Sequence, residues 1–274
     1  MLHARSFLIA FVAAMGSFTA ALAQDESKYP DLKGQWHRVG APRWVLPGGA
    51  PPPLTPEYQA VFEANKADMA AGGMGNVPSW YCLPQGMPMM MNIYDPMEVI
   101  VTPVITYVLI SHINDSYRRI YTDGRDWPEK PQPTFAGYSI GRWIDEDGDG
   151  RYDVLEVETR HLKGPRTYDS TGIPFHRDNK TVVKERIYLD KRDPNILYDE
   201  ITVYDNALTQ PWTSVKKARR ESAPRPSWVS EVCTEENAFV RIGNEAYMLS
   251  ADGYLMPTRR GQRPPDTRYF EDSK

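Results

Sequence analysis

After residue 23 the chain has no apolar run long enough to cross a bilayer as a helix, so no later helical span is expected. It has no G-x-S-x-G, no H-E-x-x-H and no P-loop, which removes most of the basis for a common hydrolase fold or for dinucleotide binding. Residues 137–141 read G-Y-S-I-G, with the wrong spacing to act as a nucleophile turn. Positive charge is not in excess. Lys and Arg number 32 against 36 Asp and Glu, so no general attraction to nucleic acid follows. The run Lys216, Lys217, Arg219 and Arg220 reads as a solvated strand edge. No internal repeat is evident. Cysteine is scarce, with only Cys82 and Cys233.

What is present is ordinary in bulk and unusual in detail. Of the 274 residues, 41% are hydrophobic and 25% charged, which is globular usage and argues against disorder. Proline is the outlier at 24 residues, and with 19 glycines it predicts many turns and short elements. Residues 1–23 read as a secretory signal peptide. Arg5 lies before a run of 17 uncharged residues from Phe7 to Ala23, and Ala21-Leu22-Ala23 puts small side chains before Gln24. Cleavage would leave 31 basic against 36 acidic residues, a net charge of −5. The mature protein is expected to be soluble, in the periplasm or secreted. No Cys at the cleavage point offers a lipid anchor. Export into an oxidising compartment favours a Cys82–Cys233 disulfide, with two free thiols or a metal thiolate as alternatives.

Four regions follow: the signal peptide, a Pro/Gly-rich lead-in at 24–53, one β-rich domain at 54–240, and a partly disordered extension at 241–274. Residues 34–39 could form a first short strand. A helix is expected over 55–71, packed on a sheet. Thr55 can cap it, Pro56 fits its first position, Glu57 complements its dipole, and Gly72-Gly73 ends it. Tyr58, Val61, Phe62 and Met69 fall near one face.

Strands are expected at 98–102, 106–112, 117–121, 138–144, 153–161, 181–189, 196–205 and 211–220, rich in Val, Ile, Tyr and Thr. Leu197, Ile201 and Val203 alternate with Tyr198, Glu200 and Thr202, giving one wetter face. With no helix between them, the strands should pair antiparallel, as a mainly β, lipocalin-like barrel or sandwich with one packed N-terminal helix.

One stretch carries a specific chemical pattern. Residues 145–156 place Asp145, Asp147, Asp149, Asp153 and Glu156 at loop positions one, three, five, nine and twelve, with Gly150 at six. This matches a calcium loop, in which the Arg151 carbonyl supplies a further ligand. A hard divalent cation needs six to eight oxygens, and alternate residues of a tight loop can supply them. Because strands flank the loop, an EF-hand fits poorly, and the D-x-D-G-D-G-x-x-D loops of FG-GAP blades are the closer resemblance. Asp145, Asp147, Asp149 and Asp153 therefore rank above Glu156 for a structural Ca2+.

The segment 82–91 is rich in methionine. Met87, Met89 and Met91, with Cys82, could ligate copper(I), but packing into an irregular gap is the stronger reading. His112 and His161 fall at strand ends, where Glu200 or Asp199, Tyr107 and Tyr121 could join them as an acid/base group. The leading functional expectation is a barrel binding a small apolar or aromatic molecule. The alternatives are an enzyme using His112 or His161 with a carboxylate, and a cell-envelope module that binds a partner.

Several segments appear together in order: Leu54-Thr55-Pro56-Glu57-Tyr58, Cys82-Leu83-Pro84, Arg119-Ile120-Tyr121-Thr122-Asp123-Gly124-Arg125, Gly137-Tyr138-Ser139-Ile140-Gly141-Arg142-Trp143 and Pro211-Trp212-Thr213. In this order the chain resembles a group of uncharacterised secreted bacterial β-rich proteins over about residues 50–240. The resemblance implies export and a β-rich fold, and no reaction. The acidic loop replaces a shorter turn in that pattern, which makes calcium binding a local feature.

Overall fold

The computed structural model describes residues 25–263, apart from 46–47, 94–95, 113–115, 165, 229, 231–232, 234–238, 243–244 and 251. The expected signal peptide lies outside the described residues, as does the chain beyond 263.

Nine strands close into a barrel, each neighbouring the next in sequence order. They are β1 (Gln35–Arg38), β2 (Met97–Val101), β3 (Ile105–Ile110), β4 (Ser116–Tyr121), β5 (Tyr138–Ile144), β6 (Val154–Arg160), β7 (Val182–Leu189), β8 (Ile196–Tyr204) and β9 (Trp212–Arg220). Each expected strand appears, with its ends moved by two residues at most. β1, from the lead-in, pairs with both β2 and β9 and closes the ring.

The expectation of antiparallel pairing throughout needs one correction. β4 and β5 run parallel, with Ile120 opposite Ser139 and Tyr121 opposite Ile140. An odd number of strands cannot close with every neighbour antiparallel, so one pair must run the same way. Residues 122–137 form the connection that returns the chain, which is long enough for a parallel crossover without a helix.

The alternation of side chains fills the barrel. Trp36, Val108, Ile120, Leu155, Val183, Leu197, Ile201 and Val203 are buried in one continuous core. Trp36 donates its indole N–H to the Leu32 carbonyl at 2.9 Å, so its buried polar atom is satisfied. Met87, Met90 and Met91 join this core. Cys82 is bonded to Cys233, which removes it from any copper site and ties residues 151 apart. A crosslink of that span restrains the unfolded chain by up to about 5 kcal/mol in the chain-entropy picture.

Helix α1 (Pro56–Ala70) starts as expected, with the Tyr58 amide donating to the Thr55 hydroxyl. It packs on the 162–181 loop rather than on the sheet. Asn65 donates to the Gly172 carbonyl at 3.3 Å, and the Tyr58 hydroxyl accepts the Arg177 amide at 3.1 Å. Tyr58 is the buried residue of the helix, while Val61 on the expected apolar face is exposed. A second, antiparallel sheet of β10 (Phe239–Ile242), β11 (Glu245–Leu249) and β12 (Leu255–Pro257) occupies the region read as an extension. The expected domain end at 240 falls inside β10.

Candidate functional site

The barrel interior is not uniformly apolar. Seven consecutive strands each bury one polar side chain: Thr106, Arg118, Ser139, Thr159, Glu185, Asp199 and Lys216, from β3 to β9. Each lies in the apolar register of its strand. Arg118 is two residues from Ile120, Glu185 lies between Val183 and Ile187, and Asp199 lies between Leu197 and Ile201.

One half of this layer is fully bonded. The Arg118 guanidinium grips both oxygens of Glu185, with Nη1 to Oε1 at 2.7 Å. It also donates to the Thr159 hydroxyl at 2.7 Å and the Ser139 hydroxyl at 3.1 Å. Ser139 and Thr159 bond to each other at 2.8 Å. A bidentate, buried pair in which each guanidinium nitrogen is bonded is the geometry in which a buried ion pair holds.

The other half is open. Both carboxyl oxygens of Asp199 are buried and have no hydrogen-bond partner among the described residues, and the same is true of the Thr106 hydroxyl. Burial pushes the Asp199 carboxyl well above the usual carboxylate range. The neighbouring Glu185 adds to the rise, against the pull of Arg118 and Lys216. Lys216 sits directly opposite Asp199 in the β8–β9 ladder. Its Nζ donates to the Arg43 carbonyl at 3.1 Å and lies 4.4 Å from the Trp44 ring centre. Burial, helped by Arg38, pushes the Lys216 amine down to about 7, against Asp169 and Asp199. The expectation of a solvated edge for this basic run therefore fails at Lys216, which is 4% exposed and points inward.

Asp199 and Lys216 share a chamber of about 20 Å3. That exceeds the roughly 10–15 Å3 that one water requires. Its other walls include Trp36, Arg38, Met90, Met91 and Met97.

Because β4 and β5 pair at two positions only, the first half of β4 has no β5 residue opposite it. A surface cleft of about 440 Å3 lies there, with Tyr117, Arg119, Tyr121, Phe135 and Tyr138 on its banks. Met90, buried at 4% exposure, lines both this cleft and the chamber.

The other candidates are spread out. Glu200 faces away from the interior and accepts the Tyr188 hydroxyl at 2.6 Å. His161 ends β6 with a φ of +59° and meets the Trp127 ring edge-on, and burial lowers its basicity. His112 follows β3, three strands away in the ring from β6, and Glu200 stands on β8, two strands beyond β6.

In the acidic loop, Asp145, Asp147 and Asp149 can each bring one oxygen within 4.8 Å of the others. The amides of Gly148 and Gly150 donate to the two oxygens of Asp145 at 2.8 and 2.9 Å. Both glycines have positive φ, +75° and +88°, which permits the bend. Arg151 gives its amide to Asp149, and Asp153 accepts the Glu146 amide. Glu156 stands on β6 beside Arg142 at 2.9 Å and Arg186 at 3.9 Å, outside the cluster of three.

Sequence reasoning missed Arg118, Glu185 and Lys216 as interior groups, although the period-two pattern already placed charges among apolar neighbours. Comparison with protein-family models, curated proteins and solved structures finds no match to the chain, so the geometry alone carries the functional reading.

Proposed function

We propose that the protein is an exported barrel whose Asp199–Lys216 chamber binds a small organic molecule, while a calcium ion clamps the 145–153 hairpin outside. The observation that supports binding most directly is the pair of unbonded Asp199 oxygens. A buried carboxyl with no donor costs about 1–3 kcal/mol, and a ligand donor would recover it. Its apolar walls are Trp36, Met90, Met91 and Met97, with Arg38 and Lys216 as the charged neighbours of Asp199, so the ligand that fits has one small polar head and an apolar or aromatic body. Met side chains rearrange readily, and movement of Met90 would join the chamber to the outer cleft and make room for that body.

The test is a thermal-shift screen with small alcohols, amines and ketones on wild type and Asp199→Leu. The expected outcome is a rise in melting temperature for at least one class that disappears in the variant. No shift with any class, or shifts that persist in Asp199→Leu, would overturn the reading.

Calcium is supported by three convergent carboxylates on a loop bent by two glycines, with the closeness of three negative charges favouring a cation. Titration calorimetry with Ca2+ should register binding that Asp147→Ala with Asp149→Ala abolishes. Export is supported by the leader pattern and is compatible with the disulfide. N-terminal sequencing of the protein made in its natural host should begin at Gln24. A retained Met1 would contradict it.

A further inference from the structure

We propose that Lys216 is a nucleophile, and that the chamber holds a small aldehyde or ketone as an imine on its Nζ, with Asp199 as the proton donor. This rests on the chamber being the ligand site and names the ligand's reactive group. Asp199 and Lys216 are cross-strand partners, which places their Cβ atoms about 5 Å apart. The amine nevertheless turns to Arg43 and Trp44, and the Asp199 oxygens have no hydrogen-bond partner among the described residues. Both side chains line the chamber, and a carbonyl group is small enough to begin occupying it.

Burial shifts both groups in the direction that the chemistry uses: it lowers the basicity of Lys216 and makes the Asp199 carboxyl hold its proton more tightly. The Arg43 carbonyl and the Trp44 face fix the amine's position. Arg38 disfavours its charged form, and Asp169 favours it.

The step balances without a redox partner. The amine attacks the carbonyl carbon. The C–N bond forms, the C=O double bond becomes single, and a proton moves from nitrogen to oxygen. Asp199 then gives its proton to that hydroxyl, the C–O bond breaks and water leaves. The iminium proton returns to Asp199. The sum is amine plus carbonyl giving imine plus water.

The test uses propanal with cyanoborohydride at pH 7, read by peptide mass mapping, and 1-propanol as a size-matched compound that cannot form an imine. Lys216 should be propylated at least tenfold faster than the exposed Lys191, and Asp199→Asn should slow Lys216 about tenfold. Met90→Ala should speed labelling of Lys216 and leave Lys191 unchanged, and it keeps the test independent of how Asp199→Asn folds. Labelling of Lys216 no faster than Lys191, or unaffected by both substitutions, overturns the proposal. If 1-propanol still raises the melting temperature in that case, the chamber remains a ligand site and only the imine fails. If neither compound acts, both readings fail.

Discussion

The polar layer of the barrel has two halves built from similar residue types, and they differ in what they bond. Arg118, Glu185, Ser139 and Thr159 satisfy one another. Asp199 and Lys216 face each other across one ladder and leave the carboxyl unbonded. A satisfied buried network specifies and holds a structure. An unsatisfied one lowers stability. On the proposed reading the bonded half is structural and the open half is the working one.

The largest expected effect breaks the structural half. Arg118→Met leaves Glu185 buried without a counter-charge, and urea denaturation should show a loss of about 3–5 kcal/mol. A loss below about 1 kcal/mol would mean that the two halves are energetically alike. Calcium sharpens the comparison from outside. At a free concentration one hundred times its Kd, the ion should add about 2.7 kcal/mol. Chelation should remove that amount equally from wild type and from Asp199→Leu, because the hairpin shares no partner with the chamber.

A smaller expected effect is the pH dependence of the working half, and its two groups have opposite signs. Asp199 holds its proton more tightly folded than unfolded. Its favourable contribution is complete below its unfolded value of about 3.8 and is lost as pH rises through the higher folded value. Lys216 binds its proton less tightly folded. Its contribution therefore becomes more favourable as pH rises from about 7 towards 10.5. Denaturation at pH 4, 7 and 10 should show wild type losing ground to Asp199→Leu above pH 4 and gaining on Lys216→Met above pH 7. The smallest effect is on the outer face. Glu200→Gln should change stability by less than about 0.5 kcal/mol, as for an ordinary surface position.

Much of the fold was legible because β-branched runs and turn residues mark strands locally. Residues 138–144 and the β8 and β9 segments were placed almost to the residue. The parallel β4–β5 pair was not, because direction of pairing depends on how the whole ring closes. The small β10–β12 sheet was also missed, most of it lying in the stretch read as a partly disordered extension. The site was half legible. The alternation Leu197, Ile201 and Val203 has Asp199 in its gap, and that position alone assigns a carboxyl to the interior. Lys216 was hidden by Lys217, Arg219 and Arg220, since a basic run resembles a solvated edge unless alternate residues are read separately. The partners of His112 and His161 depend on a strand offset that no local pattern carries.

The substitution Asp199→Leu, followed by urea denaturation at pH 7, tests the division most directly. If the carboxyl is held for a ligand at the expense of the fold, an apolar side chain of the same branching, its two methyls taking up the chamber space, should raise stability by about 1–3 kcal/mol. A loss comparable to that of Arg118→Met would contradict it and make Asp199 part of the structural half.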